Sequence, residues 1–361
     1  MNKIKLKDLG YSDYFENNSS SVSQKDIMPA RIISEHKGLY VLRNEVHEFS
    51  AKITGKMMFT ASSREDYPAV GDWVLTKKSD KNSYVIQEIL PRRTLLQRKS
   101  IGDFDSQIIA SNIDVAFIVQ SIVRDYSLNR IERYLALVKT GNINPIIVLN
   151  KIDLLSDVDL KIKISEIKTR FNNIDVYVTS TVTGKGIDDL KNSTRQGLTY
   201  CFIGSSGVGK SSIINAFLGK DLIKTGEISS ANRGKHVTSS REIYILENGG
   251  LLIDTPGMRE IGILDADAGI QNVFSEIDEL SQGCRFSDCS HTNEPGCTVL
   301  ENVISGNLDK DVYDNYIKLL KENEYNTRSK VKKREKEKNF GKFIKKSKKT
   351  MKKCNIQKTN S

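Results

Sequence analysis

Long apolar runs are missing from this chain of 361 residues. Its most apolar stretches, residues 114–123 and 145–149, fall well short of the ~20 residues a helix needs to span a bilayer, so no membrane partner is expected. A leader is not expected either, because the basic start Met1-Asn-Lys-Ile-Lys-Leu-Lys7 is followed by no apolar segment. Cysteine is scarce. The five present are too few and too clustered for a disulfide framework, and three of them fall within residues 284–297, which in a reducing compartment points to a metal. These absences predict a cytoplasmic protein. There are only four histidines, and no repeat recurs at a solenoid period. Most of the chain also lacks an excess of either charge. Residues 328–361 hold 15 Lys and Arg against two Asp and Glu, a net +13, which leaves −3 for the rest of a chain whose total is +10.

A chain of this length has room for two or three cores. Residues 1–27 are polar and rich in Ser and Asn, and read as a mobile arm. Residues 28–98 hold about five short alternating runs separated by turn signals such as His36-Lys-Gly38 and Val70-Gly-Asp72. That pattern predicts a small all-β barrel, and the periodicity leaves an OB-fold and an SH3-like barrel equally open. The basic stretch 91–100 could line an RNA groove, but on its own it reads as a solvated linker. Within residues 99–264 buried strands alternate with helices, which predicts an α/β domain with a mostly parallel sheet. Residues 265–327 are mainly helical around a Cys/His cluster, and residues 328–361 form a basic tail.

Residues 204–212, GSSGVGKSS, satisfy the spacing Gly-x4-Gly-Lys-Ser. An apolar strand precedes them and a helical pattern follows, so the glycines lie at a strand-to-helix turn. There Ser205, Ser206, Gly207, Val208, Gly209 and Ser212 surround phosphate oxygens with backbone N–H groups. Lys210 reaches the β/γ-phosphates, and the Ser211 hydroxyl ligates Mg2+.

Asn150-Lys-Ile-Asp153 follows another buried run. A carboxylate at Asp153 accepts from both the N1–H and the 2-amino group of guanine, donors that adenine does not offer at that edge. Asn150 is assigned to the purine N7 side, with the Lys151 stem along the ring. Ser180 and Thr181, after the next strand, are assigned to the guanine carbonyl. Asp254-Thr-Pro-Gly257 closes a further apolar strand, with Asp254 directed to Mg2+ through water and the Gly257 N–H to the γ-phosphate. Between these motifs lies a polar switch loop, residues 232–241, in which Thr238 is the second Mg2+ ligand, with Ser239 as the alternative. His236 is either a solvent-facing histidine or the group that positions the attacking water.

The order is abnormal, because Asn150 precedes Gly204 by 54 residues whereas in the Ras-like arrangement the guanine motif follows the phosphate loop. A circularly permuted GTPase domain is therefore expected. Cys284, Cys289, His291 and Cys297 supply three thiolates and one imidazole in 14 residues. That set suits one tetrahedral zinc ion with no open position, a structural staple.

In this order the motifs resemble those of the bacterial ribosome small-subunit-dependent GTPase A family, over about residues 28–325. The resemblance implies an OB-fold N-terminal domain, a permuted GTPase domain that binds GTP or GDP with Mg2+, and a zinc domain. It further implies a role in late maturation of the small ribosomal subunit, with the subunit and its rRNA as partners and weak intrinsic hydrolysis stimulated by them. The family's switch pattern is Gly-Arg-His-Thr-Thr-Thr; here Lys235, Val237 and Ser239 depart from it, which favours Thr238 as the metal ligand. The family also lacks a catalytic glutamine after its Asp-x-x-Gly motif, and Met258 stands there now, which throws the catalytic burden onto His236, with Lys210 and Thr238. A monomer is expected. Two other readings remain: a signalling GTPase governed by a protein partner, and a GTP-dependent conformational switch on another RNA or protein with negligible turnover.

Overall fold

The computed structural model describes residues 4–18, 26–36, 38–79, 83–99, 106–123, 126–219, 241–254 and 266–327. Five strands form the first unit: β1 (Ile27–His36), β2 (Leu39–Arg43), β3 (Glu48–Ile53), β4 (Trp73–Lys78) and β5 (Tyr84–Ile89). They pair in the cycle β1-β2-β3-β5-β4 and back to β1, with β3 and β5 parallel and the other neighbours antiparallel. Closure removes the free edges. The cycle is OB-like and resolves the choice that periodicity left open. Alternation along the strands supplies the filling, with Ala30, Ile32, Leu42, Val74, Leu75 and Ile86 fully buried.

Residues 4–18 are not a free arm. A 3-10 turn (Leu6–Leu9) and the short helix α1 (Asp13–Asn17) bring Leu9, Tyr11 and Phe15 into the core. Tyr11 meets Trp73 edge-on with ring centroids 4.7 Å apart. The polar composition of this stretch hides three apolar residues, two of which, Tyr11 and Phe15, find their partner far downstream in Trp73. Another short helix, α2 (Gly55–Thr60), joins β3 to β4 and buries none of its residues.

The solvated linker expected over 91–100 is instead part of a two-stranded sheet, β6 (Leu95–Lys99) with β7 (Ser106–Ser111). Leu96 is fully buried, and Arg92 forks onto the buried Asp72 with both contacts at 2.8 Å. Arg93 and Arg98 are likewise held, by Asp114 and by Gln107.

The second unit contains β8 (Val115–Ser121), α3 (Leu128–Thr140), β9 (Asn144–Asn150), α4 (Asp157–Arg170), β10 (Val176–Thr179), α5 (Ile187–Asn192), β11 (Thr199–Ile203), α6 (Lys210–Leu218), β12 (Glu242–Ile245) and β13 (Leu251–Asp254). The sheet order is β10-β9-β8-β11-β13-β12, parallel except for the edge strand β12. Strands on one side of β11 precede it in the chain and those on the other side follow it, which is a permuted order. β12 also pairs with β1 at Ser34 and Glu242, so one hydrogen-bonded ladder of eleven strands runs through both units.

The third unit holds α7 (Asp267–Val273), α8 (Ser275–Ser281), α9 (Thr298–Ser305) and a helix, α10, over residues 310–327. Phe274, Ile277, Val299 and Leu319 form its small core, which includes Ala136 of α3. Among the described residues no helix is long and apolar enough to cross a membrane.

Candidate functional site: a nucleotide edge and a metal knuckle

Parallel strands put their carboxyl ends on one edge of the sheet, where open α/β folds bind ligands. Here Asn150, Thr179, Ile203 and Asp254 end β9, β10, β11 and β13. The loop 204–209 leaves β11 and enters α6, whose first residue is Lys210. The Lys210 ammonium donates to the carbonyls of Gly204 and Ser205, at 2.7 and 2.6 Å, and is thereby held over the first turn of the loop.

Asn150 is fully buried and joins the ends of β9 and β10 to the phosphate loop. Its Nδ2 donates to the Val208 carbonyl at 2.9 Å, and its Oδ1 accepts from Thr179 Oγ1 at 3.1 Å. One N–H and one lone pair of the amide remain for other partners. The sequence assigned Asn150 to the purine alone; its tie to the loop is visible only in three dimensions. That tie explains Gly209, whose φ is +102° and whose added Cβ would lie 2.1 Å from Asn150 Nδ2. A side chain there would push the amide off the loop.

Asp153 is exposed at the mouth of this edge, and its carboxylate accepts from the Ser180 hydroxyl. Ser180 is fully buried, and its oxygen also accepts from the backbone of Val182 at 3.3 Å and Thr183 at 3.2 Å. The hydroxyl thus folds the loop after β10 and aims the carboxylate, a part that sequence reasoning missed when it gave Ser180 only a contact to the guanine carbonyl. Lys151 lies between, in the left-handed region with φ 66°, and Thr181 is half-buried. In the phosphate loop Val208 is buried, Ser206 and Gly207 are exposed, and Ser205, Ser211 and Ser212 are half-buried. Asp254 is half-buried at the end of β13. His236, Thr238, Ser239, Gly257 and Met258 lie outside the described residues, as does the tail from residue 328.

The structure brings the four predicted metal ligands together: the ligand atoms of Cys284, Cys289, His291 and Cys297 all lie within 4.8 Å of one another. A tetrahedral zinc ion with bonds of about 2.3 Å to sulfur and about 2.0 Å to nitrogen has S···S edges of about 3.8 Å and S···N edges of about 3.5 Å. The corresponding separations are 3.9 Å for Cys284 to Cys297, and 3.6 and 3.5 Å from His291 Nδ1 to those two sulfurs. Electrostatics fit as well. Burial raises the Cys284 thiol, but backbone donors at Val299 and Thr298, with hydrogen bonds to Cys297 and Cys289, hold the group below its ordinary value. Burial keeps His291 on the neutral side, the form that ligates. Burial and the thiols of Cys297 and Cys284 push Cys289 up to about 11, a crowding of sulfur that a divalent cation relieves. The residues fit zinc.

Comparison with known proteins adds three findings. The family model described as RsgA GTPase matches residues 89–264. A protein of Bacteroides thetaiotaomicron named small ribosomal subunit biogenesis GTPase RsgA 1 is 41% identical over 344 residues, 94% of this chain and 96% of that protein. One of Vibrio parahaemolyticus, named small ribosomal subunit biogenesis GTPase RsgA 2, is 38% identical over 94% of this chain and 91% of its own. Among solved structures, YjeQ from Thermotoga maritima superposes with a TM-score of 0.62 at 27% identity, covering 82% of this chain and 98% of that one. YloQ, described as a circularly permuted GTPase, does so with a TM-score of 0.60 at 25% identity, over 84% and 97%.

Proposed function

The chain belongs to the RsgA GTPase family, and from that premise we propose that it hydrolyses GTP to GDP and phosphate in the biogenesis of the small ribosomal subunit. The observation that carries the reading is the bond from Asn150 to Val208, which ties a guanine-reading motif to a phosphate loop in one site.

In this reading Asp153 selects guanine, with Lys151, Ser180 and Thr181 around the base. Residues 205–209 and Ser212 cradle the phosphates, and Lys210 moves from the loop carbonyls to the β/γ-phosphates. Ser211 and Thr238 would hold Mg2+, and Asp254 would reach it through a water. When bound, the ion neutralises charge that develops on the phosphate oxygens. Gly257 senses the γ-phosphate through its N–H. Met258 cannot donate a hydrogen bond, so His236 orients the attacking water. One zinc ion sits in the Cys284–Cys289–His291–Cys297 site.

The partner is the small subunit and its rRNA in the cytoplasm, approached by a monomer. The OB-like barrel, the zinc module and the +13 tail each suit phosphate-rich RNA. The test is GTP turnover with and without purified small subunits: a marked stimulation is expected, and equal rates overturn the reading. His236→Ala should leave GTP affinity within about threefold and remove most of the stimulated rate, since positioning a water or base contributes about 10²–10⁴-fold.

A further inference from the structure

Helix α3 touches the phosphate loop on one side and carries the zinc module on the other. Toward the loop, the buried Tyr134 places its hydroxyl 3.3 Å from Ser205 Oγ. Ser205 is also the residue whose carbonyl holds Lys210. Toward the module, Glu132 is fully enclosed and accepts from Arg170 of α4 at 2.7 Å and from Asn315 of α10. Its neighbour Arg133 pairs with Glu322 of α10. On the same side α7 lies so close that a Cβ on Gly269 would sit 2.1 Å from the Ala136 carbonyl. Three consecutive residues of one helix therefore grip α10 and the phosphate loop together.

We propose that Tyr134 is a positioning residue for the phosphate loop, and that α3 is the strut through which the seating of the zinc module sets how firmly that loop holds nucleotide. The inference rests on reading residues 204–212 as the phosphate loop. The phenol has only two side-chain torsions, and its ring is enclosed by its neighbours, so the hydroxyl moves with the helix. A small shift of α3 then displaces Ser205 and, through its carbonyl, the anchor of Lys210. A rigid helix gripped at both faces is the kind of element that carries coupling between sites.

The test is the dissociation rate of a fluorescent GDP from the full-length chain. Tyr134→Phe keeps the ring and should leave the melting temperature unchanged, while release quickens by about two- to tenfold, the equivalent of one neutral hydrogen bond. Ser205→Ala should quicken it by a similar factor, and the double variant should be no faster than either. Glu322→Ala, on the far face, should quicken release in the wild-type background and leave it unaltered in Tyr134→Phe. Wild-type release from Tyr134→Phe, or factors that multiply in the double variant, overturns the positioning role. A Glu322→Ala effect of the same size in both backgrounds overturns the strut. Failure of the wild-type chain to bind the GDP overturns the phosphate-loop reading itself, and this inference with it.

Discussion

At the nucleotide edge Asn150 meets Val208 and Thr179, residues 58 and 29 positions away, and the groups that meet there do so because parallel strands deliver them to one end of a sheet. At the metal knuckle the four candidate ligands fall within 14 residues, joined by turns between α8 and α9. The first site is a by-product of a large buried core and stays assembled as long as the sheet does. The second has only a small core, around Phe274, Ile277, Val299 and Leu319, and on the proposed reading a zinc ion draws its three sulfurs together. One region makes its site from the fold; in the other, on that reading, the site helps to make the fold.

The largest effect that should separate the two is removal of the metal. Structural zinc contributes on the order of 10 kcal/mol to small domains, so chelation, or Cys289→Ser, should release residues 266–327 from their packing while GDP still binds, leaving faster than from the intact chain. Limited proteolysis and a zinc content of one per chain check this, and a zinc-free chain that resists cleavage as well as the native one would break the contrast. Next comes Gly209→Ala. It combines strain at a left-handed position with loss of the Asn150 tie, together about 3–5 kcal/mol, and should abolish GTP binding measurably while the zinc content is unaffected. Asp153→Asn should weaken GTP by about 2–4 kcal/mol, because a charge-assisted pair of acceptors becomes a mixed amide. Competition by ATP as strong as that by GTP against the wild type would refute the guanine assignment. The smallest change is Ser180→Ala, which should cost about 1–2 kcal/mol in GTP affinity by leaving the Asp153 carboxylate unaimed. Titration calorimetry on the two variants together should then show less than the sum, because both act on one carboxylate.

What could be read from the chain divides along the same line. Buried strands such as β8, β9 and β11 announce themselves as apolar runs, and the motifs at their ends follow by position. The candidate zinc ligands are legible because the chemistry is local. Less legible were features whose meaning lies far away in sequence. Leu9, Tyr11 and Phe15 are scattered among polar neighbours, and they join the core only in the folded chain, where Tyr11 and Phe15 meet Trp73. Strand β12 is four residues long with only Ile243 buried, too little for a periodic pattern, and its place comes from β13 on one side and β1 on the other. β6 carries Gln97, Arg98 and Lys99, which mask a strand whose Arg98 is held by Gln107 across the hairpin at 3.0 Å. Tyr134 sits in an ordinary helical pattern, where nothing marks it apart from the core residues Ile131, Leu135 and Val138 beside it.

The permuted strand order also has a consequence during synthesis. β8 is apolar on both faces, with Ala116, Phe117, Ile118 and Val119 fully buried, and its neighbours are β9 and β11. β9 leaves the ribosome soon after β8, but Ile203, at the end of β11, comes 82 residues after Ser121, at the end of β8. At about 5–20 residues per second that is a wait of roughly 4–16 s. For that interval the nascent chain presents one bare, hydrophobic strand edge, the kind of surface that recruits chaperones or wrong partners. The interval ends as β11 emerges, with the phosphate loop directly behind it.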